Sequence, residues 1–557
     1  MTARRDTELW WKNAVVYCLD VETFLDSDGD GVGDLQGLQR RIDYLAGMGV
    51  SCIWLMPFHP SPNRDDGYDI TDHYAVDPRL GTLGDFVDVI RAARDRGLRV
   101  IIDFVVNHTS DRHPWFREAR SDPASPRRAF YVWRDDPPPT RRSDVVFPDA
   151  EDSIWTWDDK AGQYYLHHFY SHQPELDIAN PDVREEIARI AGFWLQLGVD
   201  GFRVDAVPFL FETGGSTGGP ELDPHELLKE LRSSVTRRRG DAAMLGEVNL
   251  PHPQLVDYFG DQPGDELQLL FDFTTMQRMY LSLARGDAAP LATALRERPE
   301  IPAECQWANF VRNHDELTLD QLSDDERAEV FAAFGPDDDM QLFGRGLRRR
   351  LPPMLGGDTA RIRMVYSLLF SLPGAPVLFY GEEIGMGENL DIPGRASVRT
   401  PMQWTSQSAG GFSSARPAKL RRRPPDGRWS PLAVNVEAQR RDPASQLNWT
   451  ERMIRRRREL PELGWGRCTV LDTKVPSVLA HVVEGDDRVL LFVHQLAAEA
   501  CELTLRLPPE LAGATVVDLV DGSPEHRVDD DGRLTMVLAP YAAHWRSIAP
   551  EGTGRAP

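Results

Sequence analysis

Short apolar runs alternate with amphipathic helical patterns along most of this chain, and this alternation constrains the fold most strongly. A typical intervening segment, "TLGDFVDVIRAARDRG" (82–97), is apolar on one side and charged on the other. The apolar runs are short and bounded by turn residues, as buried strands are. Strand–helix alternation repeated eight times predicts a parallel (β/α)8 TIM barrel. The eight runs are "AVVYCLDV" (14–21), "CIWLMP" (52–57), "RVIIDFVV" (99–106), "GFRVDAV" (201–207), "AMLGEVN" (243–249), "LQLLFDF" (267–273), "NFVRNHD" (309–315) and "PVLFYG" (376–381).

Two other parts of the chain do not fit the alternation. The stretch after the third run is long and rich in Pro, Trp, Tyr and His. Because a structureless loop of that length is uncommon, we expect an inserted subdomain over the barrel mouth. Near the C-terminus, runs such as "RVLLFVHQL" and "CELTLRL" alternate with turn residues, which predicts an antiparallel β-sandwich. The predicted domains are a catalytic barrel (1–108 and 183–465), an inserted subdomain (109–182) and a C-terminal sandwich (466–557).

The charge balance excludes one class of partner. The chain carries 87 acidic and 63 basic residues, a formal net charge of −24. Such a surface repels phosphate backbones, so nucleic acid is not an expected partner. Two arginine runs, "RGLRRRLPP" (345–353) and "IRRRREL" (454–460), stand out against this background. We expect them to form solvated helix faces or loop edges.

Cysteine usage and hydropathy indicate the compartment. The five cysteines are odd in number, widely spread and never in a CxxC pair, which argues against a disulfide framework and for reduced thiols in a cytoplasm. The N-terminal stretch "MTARRDTELWWKN" has no apolar segment of signal-peptide length. No segment is apolar enough to span a membrane. We therefore expect a cytoplasmic protein without a membrane partner, and the sequence leaves open whether it forms a homo-oligomer.

The loop "DSDGDGVGD" (26–34) carries acidic residues at alternate positions. Asp26, Asp28 and Asp30 suit a hard cation, because a tight loop can aim several oxygens at one point. An EF-hand loop requires an acidic twelfth residue, and that position here is Gly37. A strand-like run precedes the loop in place of a helix. We therefore predict a structural metal clip and not a calcium sensor.

Three predicted strands end in a carboxylate: Asp205, Glu247 and Asp315. Chemistry in such barrels belongs at the carboxyl ends of the strands. One such acid alone is most simply a helix cap or an ion-pair partner, but three on one rim raise one another's pKa. A nucleophile and an acid/base about 5–5.5 Å apart suit glycosidic bond cleavage with retention. Arg203, on the same strand face as Asp205, would keep that carboxylate ionised.

Four segments together resemble the conserved regions of glycoside hydrolase family 13, the α-amylase family. They are "DFVVNH" (103–108), "GFRVDAV" (201–207), "GEVN" (246–249) and "VRNHD" (311–315), in the family's order and spacing over essentially the whole chain. The resemblance implies that Asp205 is the nucleophile, Glu247 the acid/base and Asp315 the transition-state stabiliser. It also places "RDDGYD" and "RTPMQW" near the closed end of a glucose pocket. The implied substrate contacts are Asp65, Tyr68, His108, Arg203, His314 and Arg399. Taken singly, either histidine could equally serve in loop or core packing.

The same resemblance assigns the metal. The acidic loop is similar to the Ca²⁺ loop of oligosaccharide-active members, with ligands from Asp26, Asp28, Asp30, the Val32 carbonyl and Asp34. A second calcium site is implied at Asn107, Glu175 and Glu212. The family usually has Asp at the position of Glu175.

Within the family, stretches such as "RNHDELTLDQLSDDER" and "VRTPMQW" resemble the trehalose synthases, which interconvert maltose and trehalose. Members specialised for α-1,6 bonds usually carry Val where this chain has Ala206. Two loops depart from the trehalose synthase pattern: the run after Glu247 reads "VNLP", and the run after the nucleophile strand reads "ETGGSTGGPELDPH". We predict intramolecular transglucosylation with side hydrolysis on small α-glucosides. The alternatives are an α-glucosidase or a transglucosylase with another small acceptor, and a non-catalytic carbohydrate-binding scaffold.

Overall fold

The computed structural model describes residues 9–211, 223–486, 488–520, 522 and 526–549. Eight parallel strands close into a barrel in which each pairs with its sequence neighbours and the last pairs with the first. This confirms the predicted barrel. The strands are β1 (Val16–Leu19), β2 (Cys52–Leu55), β3 (Arg99–Phe104), β4 (Gly201–Val204), β5 (Ala243–Gly246), β6 (Leu269–Phe271), β7 (Gln306–Phe310) and β8 (Ala375–Phe379).

Helices surround the barrel, and local sequence sets their ends. At Thr82 a capping box pairs the threonine hydroxyl and the Asp85 carboxylate with each other's backbone N–H groups. At Gly198 the chain leaves a helix in the left-handed conformation, φ +107°, which glycine adopts without steric cost. The longer helices are Leu35–Met48, Leu83–Arg94, Pro181–Leu197, Pro224–Arg238, Phe273–Arg285, Asp324–Phe334, Thr359–Ser371 and Gln446–Arg458. The shorter ones are Val21–Phe24, Pro114–Ser121, His252–Leu255, Ala289–Arg296, Leu351–Met354, Val436–Arg441 and Glu462–Trp465.

Two small antiparallel sheets lie in loops that leave the carboxyl ends of barrel strands. The first, in the segment between β3 and β4, has the spatial order Trp133–Arg134, Gln163–Leu166, Trp155–Asp158. The second follows β7, with the order Leu317–Thr318, Gly346–Leu347, Gln341–Leu342. Apolar runs alone did not indicate the second sheet, because its strands are only two residues long.

The C-terminal region has its own apolar core, which includes Leu491, Val516 and Ile548. Its strands form antiparallel sheets, as predicted for a sandwich. One sheet has the order Arg467–Val470, Val478–Glu484, Val489–Gln495, Ala543–Ala549, Thr515–Asp518, His526–Arg527, and the other pairs Cys501–Arg506 with Arg533–Leu538.

The expectation of solvated arginine runs was wrong for their key members. Arg350 and Arg457 are 1% and 3% exposed. The Arg350 guanidinium donates to the Tyr380 and Val398 carbonyls, and that of Arg457 donates to several carbonyls where a helix joins β8, including that of Leu372. Buried carbonyls without a backbone partner need donors, and a five-donor guanidinium supplies several at once.

All five cysteines have free thiols, in agreement with the sequence prediction. Among the described residues, none of the helices is both long and apolar enough to cross a bilayer.

Candidate active site

Asp205 and Glu247 follow the neighbouring strands β4 and β5, and one side chain holds them together. The Arg203 guanidinium donates to Asp205, and its Nη2 donates to Glu247 Oε2 at 2.5 Å. Its Nη1 also donates to Asp103 Oδ1 at 2.5 Å. Arg203 is fully buried, so this cation faces three carboxylates with little solvent screening. The predicted nucleophile and acid/base thus contact the same guanidinium group.

A strained turn also joins the two acids. Ala206, which follows Asp205, has φ +50°, a conformation that residues with a Cβ rarely adopt. In this conformation the Ala206 N–H donates to Glu247 Oε2 at 3.3 Å, and the Val207 N–H donates to the Glu247 carbonyl at 3.2 Å. Strained backbone persists where the surrounding structure enforces it, and such positions cluster at active sites.

Asp315 follows β7 and is held by two arginines. Its Oδ1 accepts from Arg395 Nη1 at 2.6 Å and from Arg399 Nη2 at 2.9 Å. The His314 Nε2 atom lies 3.1 Å from Asp315 Oδ2. Arg395 also donates to Asp65 Oδ1 at 2.5 Å, which links the predicted glucose-binding stretch to the third carboxylate.

The remaining predicted contacts lie beside this group. The Tyr68 hydroxyl lies 2.5 Å from His314 Nε2, and their rings stack at 5.5 Å. His108 Nε2 lies 3.2 Å from the Tyr68 carbonyl. Burial lowers the pKa of both histidines, so both rings are neutral hydrogen-bonding groups at neutral pH.

A cavity of about 480 Å³ opens over the three carboxylates. This volume suits a small ligand. Three of the predicted substrate contacts, Arg203, His314 and Arg399, lie behind the cavity wall, where they position the carboxylates. The lining includes Asp65, Tyr68, His108, Phe147, Phe169, Asp205, Phe209, Glu247, Asn249, Asp315, Arg345 and Arg395.

The acids differ in their protonation. Burial, opposed by Arg203, raises the pKa of Asp205 to about 6 and that of Glu247 to about 7. For Asp315, burial alone would raise the pKa, but Arg395 and Arg399 outweigh it and hold the pKa below its ordinary value. Near neutral pH the site therefore offers a proton donor at Glu247 beside ionised carboxylates at Asp205 and Asp315, as glycosidic acid catalysis requires.

Sequence reasoning assigned no site role to Asp103, Arg395 or Asp66. Asp103 shares Arg203 with the two acids and accepts from Trp54 Nε1 at 2.8 Å. Asp66, at φ +49°, accepts from Arg399 Nη1 at 2.5 Å. Two features of the sequence could have indicated them: the position of Asp103 at a strand end, and the presence of two arginines, Arg395 and Arg399, in "GRASVRTPMQW".

The acidic loop brings together three of the five predicted metal ligands. Carboxylate oxygens of Asp26, Asp28 and Asp34 lie within 4.8 Å of one another. Asp30 is exposed, and its Oδ1 accepts from the Val32 N–H at 2.7 Å. An all-oxygen donor set on a tight loop fits Ca²⁺.

At the second predicted metal site, Asn107 and Glu175 are hydrogen-bonded to neighbouring residues. Glu175 Oε1 accepts from His168 N at 2.8 Å and lies 2.7 Å from His168 Nδ1. The Asn107 carbonyl accepts from the Leu176 N–H at 2.9 Å. Glu212 lies outside the described residues.

Known proteins with similar sequences and structures identify the family to which this site belongs. The family model described as the alpha-amylase catalytic domain matches residues 20–333 and 348–466. The chain belongs to the α-amylase family. Within it, the chain is 42% identical to a trehalose synthase of Pimelobacter sp., over 98% of this chain and 97% of that protein. It is 44% identical to the trehalose synthase/amylase TreS of Mycobacterium tuberculosis, over 90% and 86%. Among solved structures, an alpha-glucosyl transfer enzyme, XgtA, superposes with a TM-score of 0.77 at 29% identity, over 97% of this chain and 99% of that one.

Proposed function

We propose that this protein is a retaining enzyme that interconverts maltose and trehalose by intramolecular transglucosylation, with hydrolysis as a side reaction. The observation that carries the proposal is the shared guanidinium of Arg203, whose two terminal nitrogens contact Asp205 and Glu247 beneath a small cavity. Similarity to two trehalose synthases over nearly the whole chain supports the substrate class.

The chemistry follows from the protonation states. Glu247 gives its proton to the glycosidic oxygen while the Asp205 carboxylate attacks the anomeric carbon, so a covalent glucosyl-enzyme forms and glucose departs. Glu247, now a carboxylate, takes the proton from a hydroxyl of the same glucose as that oxygen attacks the anomeric carbon and releases Asp205. Attack from the 4-hydroxyl regenerates maltose, and attack from the anomeric hydroxyl gives trehalose. Asp315 stabilises the cationic transition state.

Whether the departed glucose stays in the cavity decides between isomerisation and hydrolysis. Water that reaches the glucosyl-enzyme first produces two glucose molecules, as in an α-glucosidase. The linked charges Asp65–Arg395–Asp315 line the part of the cavity that the glucosyl unit would occupy, and Phe147 and Phe169 line it from the inserted segment. A non-catalytic scaffold is disfavoured, because the three carboxylates that catalysis needs are present and oriented.

We further propose a structural Ca²⁺ in the loop after β1, held by Asp26, Asp28 and Asp34 together with Asp30 and the Val32 carbonyl. This ion would stabilise the loop without entering the reaction. The free thiols favour a reducing cytoplasm, and the acidic surface favours small neutral substrates over nucleic acid.

Maltose incubation tests the proposal. The expected result is that trehalose accumulates ahead of free glucose, and that trehalose supplied alone yields maltose. Glucose as the sole product from both sugars would overturn the isomerase and leave an α-glucosidase. The matched Asp205→Asn variant should lose both activities while retaining its fold.

A further inference from the structure

An aromatic residue occupies a strained position at the tip of the hairpin after β7. Phe343 has φ +56°, and the following Gly344 has φ +65°. Hairpin tips with two left-handed residues usually carry Asn, Asp or Gly, because bulky side chains are strained there. Gly344 fits this preference, whereas Phe343 does not. A strained bulky residue persists only where its neighbours enforce it.

The Phe343 ring spans the gap to the segment inserted between β3 and β4. It lies 5.0 Å from the Phe147 ring, centroid to centroid, and the Phe343 N–H donates to Asp149 Oδ2 at 3.2 Å. The hairpin tip thus contacts the inserted segment through Phe343, whose ring packs on Phe147 and whose backbone N–H donates to the Asp149 side chain. The ring contact requires an aromatic side chain, whereas any residue other than proline can supply the backbone bond.

Residues on both sides of this contact line the cavity. Phe147 lines it, and the Arg395 guanidinium lies 4.9 Å from the Phe147 ring while pairing with Asp65 and Asp315. On the hairpin side, Arg345 also lines the cavity.

The Arg345 guanidinium lies 5.3 Å from the Phe343 ring and pairs with Glu316 at 3.3 Å, one residue after Asp315. The Phe343 ring is therefore flanked by two cavity-lining groups, one from each side of the opening.

We propose that Phe343 is a specificity-determining latch. By holding the hairpin tip on Phe147, it keeps the cavity mouth narrow while the glucosyl-enzyme exists, so that the departed glucose re-attacks before it exchanges with solvent or yields to water. This inference rests on the proposed function. In this role Phe343 influences whether the glucosyl-enzyme reacts with the departed glucose, with water or with glucose from solvent, and it takes no part in bond cleavage.

The test compares three variants with wild type on maltose plus isotopically labelled glucose. Phe343→Asn removes the ring and suits the left-handed backbone, whereas Phe343→Tyr keeps the ring. Tyr541→Asn is the matched control, because Tyr541 is also an aromatic residue at positive φ, +53°, outside the cavity lining. The readouts are the ratio of glucose to disaccharide products, the label incorporated into disaccharide, and the melting temperature.

Phe343→Asn should raise the glucose-to-disaccharide ratio and label incorporation about tenfold without a fall in melting temperature, because the mouth opens to water and solvent glucose. Phe343→Tyr and Tyr541→Asn should keep the wild-type partition. A folded Phe343→Asn variant with the wild-type partition would overturn the latch. If wild type makes no trehalose, the proposed function fails separately, and the labelled glucose incorporated into disaccharide per maltose consumed still tests the latch, because Phe343→Asn should raise it.

Discussion

Arg203 and Glu247 are joined by a contact of 2.5 Å from Nη2 to Oε2, and the same guanidinium contacts Asp205 and Asp103. One buried cation therefore fixes the separation of the two proposed catalytic acids and opposes the effect of burial on both pKa values. Neither carboxylate can move or change charge without the other being affected.

Replacing Arg203 with Lys should disable the site while leaving a positive charge. A compact ammonium cannot reach Asp205 and Glu247 at once in the way the planar fork does. We expect kcat to fall by about 10²- to 10³-fold, because preorganised charge is lost where the transition state forms. Steady-state kinetics on maltose, with circular dichroism as the folding control, measures this. Near-wild-type kcat in a folded Arg203→Lys variant would contradict the shared-cation arrangement.

The pH profile of kcat/KM should be a narrow bell. Asp205, with a pKa of about 6, must be ionised, so the rate falls as pH drops below that value. Glu247, with a pKa of about 7, must be protonated, so the rate falls as pH rises above it. The two limbs belong to the coupled pair. With a glucosyl fluoride, whose leaving group needs no proton, Glu247→Gln should lose the alkaline limb. An optimum above pH 9 would rule out this assignment.

Arg422 should stabilise the fold through Asp66. It pairs with Asp66 and donates to the Arg399 carbonyl at 3.0 Å. Burial opposes ionisation of Asp66, but Arg422 and Arg399 outweigh it and hold its pKa below the ordinary value. Removing one partner of a buried pair costs about 3–5 kcal/mol, and Arg422→Met should lose about that much at pH 7 in urea unfolding.

The free energy that Arg422→Met loses should depend on pH in a defined direction. Because the folded pKa of Asp66 is depressed, its stabilisation is present above the unfolded pKa of about 3.9 and is lost as the pH falls through the folded pKa. The difference in the free energy of unfolding between wild type and Arg422→Met should therefore become smaller in acid. Arg423→Met, at the exposed neighbouring position, is the control and should be neutral. Equal losses for the two variants would contradict a specific role for Arg422.

Calcium should stabilise the protein through the acidic loop. At about 100 times its dissociation constant, a bound ion adds about 2.7 kcal/mol to the free energy of unfolding. The melting temperature of chelator-treated protein should rise on addition of Ca²⁺, and Asp28→Ala should abolish the rise. Asp531→Ala, at an exposed position in the C-terminal region, should keep it. A melting temperature insensitive to Ca²⁺ in wild type would exclude the site.

The barrel was predictable because parallel strands are buried on both faces and therefore form continuous apolar runs. Polar residues at their carboxyl ends, such as Asp205 and Glu247, then fall on one rim. The boundaries predicted for the seventh strand, 309–315, were too far along the chain, because β7 spans Gln306–Phe310. The apolar periodicity does not separate the end of a strand from the polar segment that carries the proposed catalytic residues.

Other features depend on contacts distant in sequence. Arg350 and Arg457 belong to runs that look solvated, yet their guanidinium groups donate to carbonyls that lie far from these arginines in sequence. Arg395 reaches Asp65 across 330 residues. The conformation of Phe343 contradicts its local preference, so no local pattern predicts it. Each of these residues is explained by tertiary contact and not by sequence neighbours.

In the proposed mechanism Asp205 forms a covalent bond with the sugar, and trapping that bond is the decisive experiment. A fluorinated α-glucosyl fluoride, which forms the intermediate faster than it is released, should leave one glucosyl adduct that peptide mass spectrometry locates at Asp205. The adduct should be absent from Asp205→Asn and slow to disappear from Glu247→Gln. An adduct on any other residue, or turnover by Asp205→Asn at the wild-type rate, would show that Asp205 is not the nucleophile.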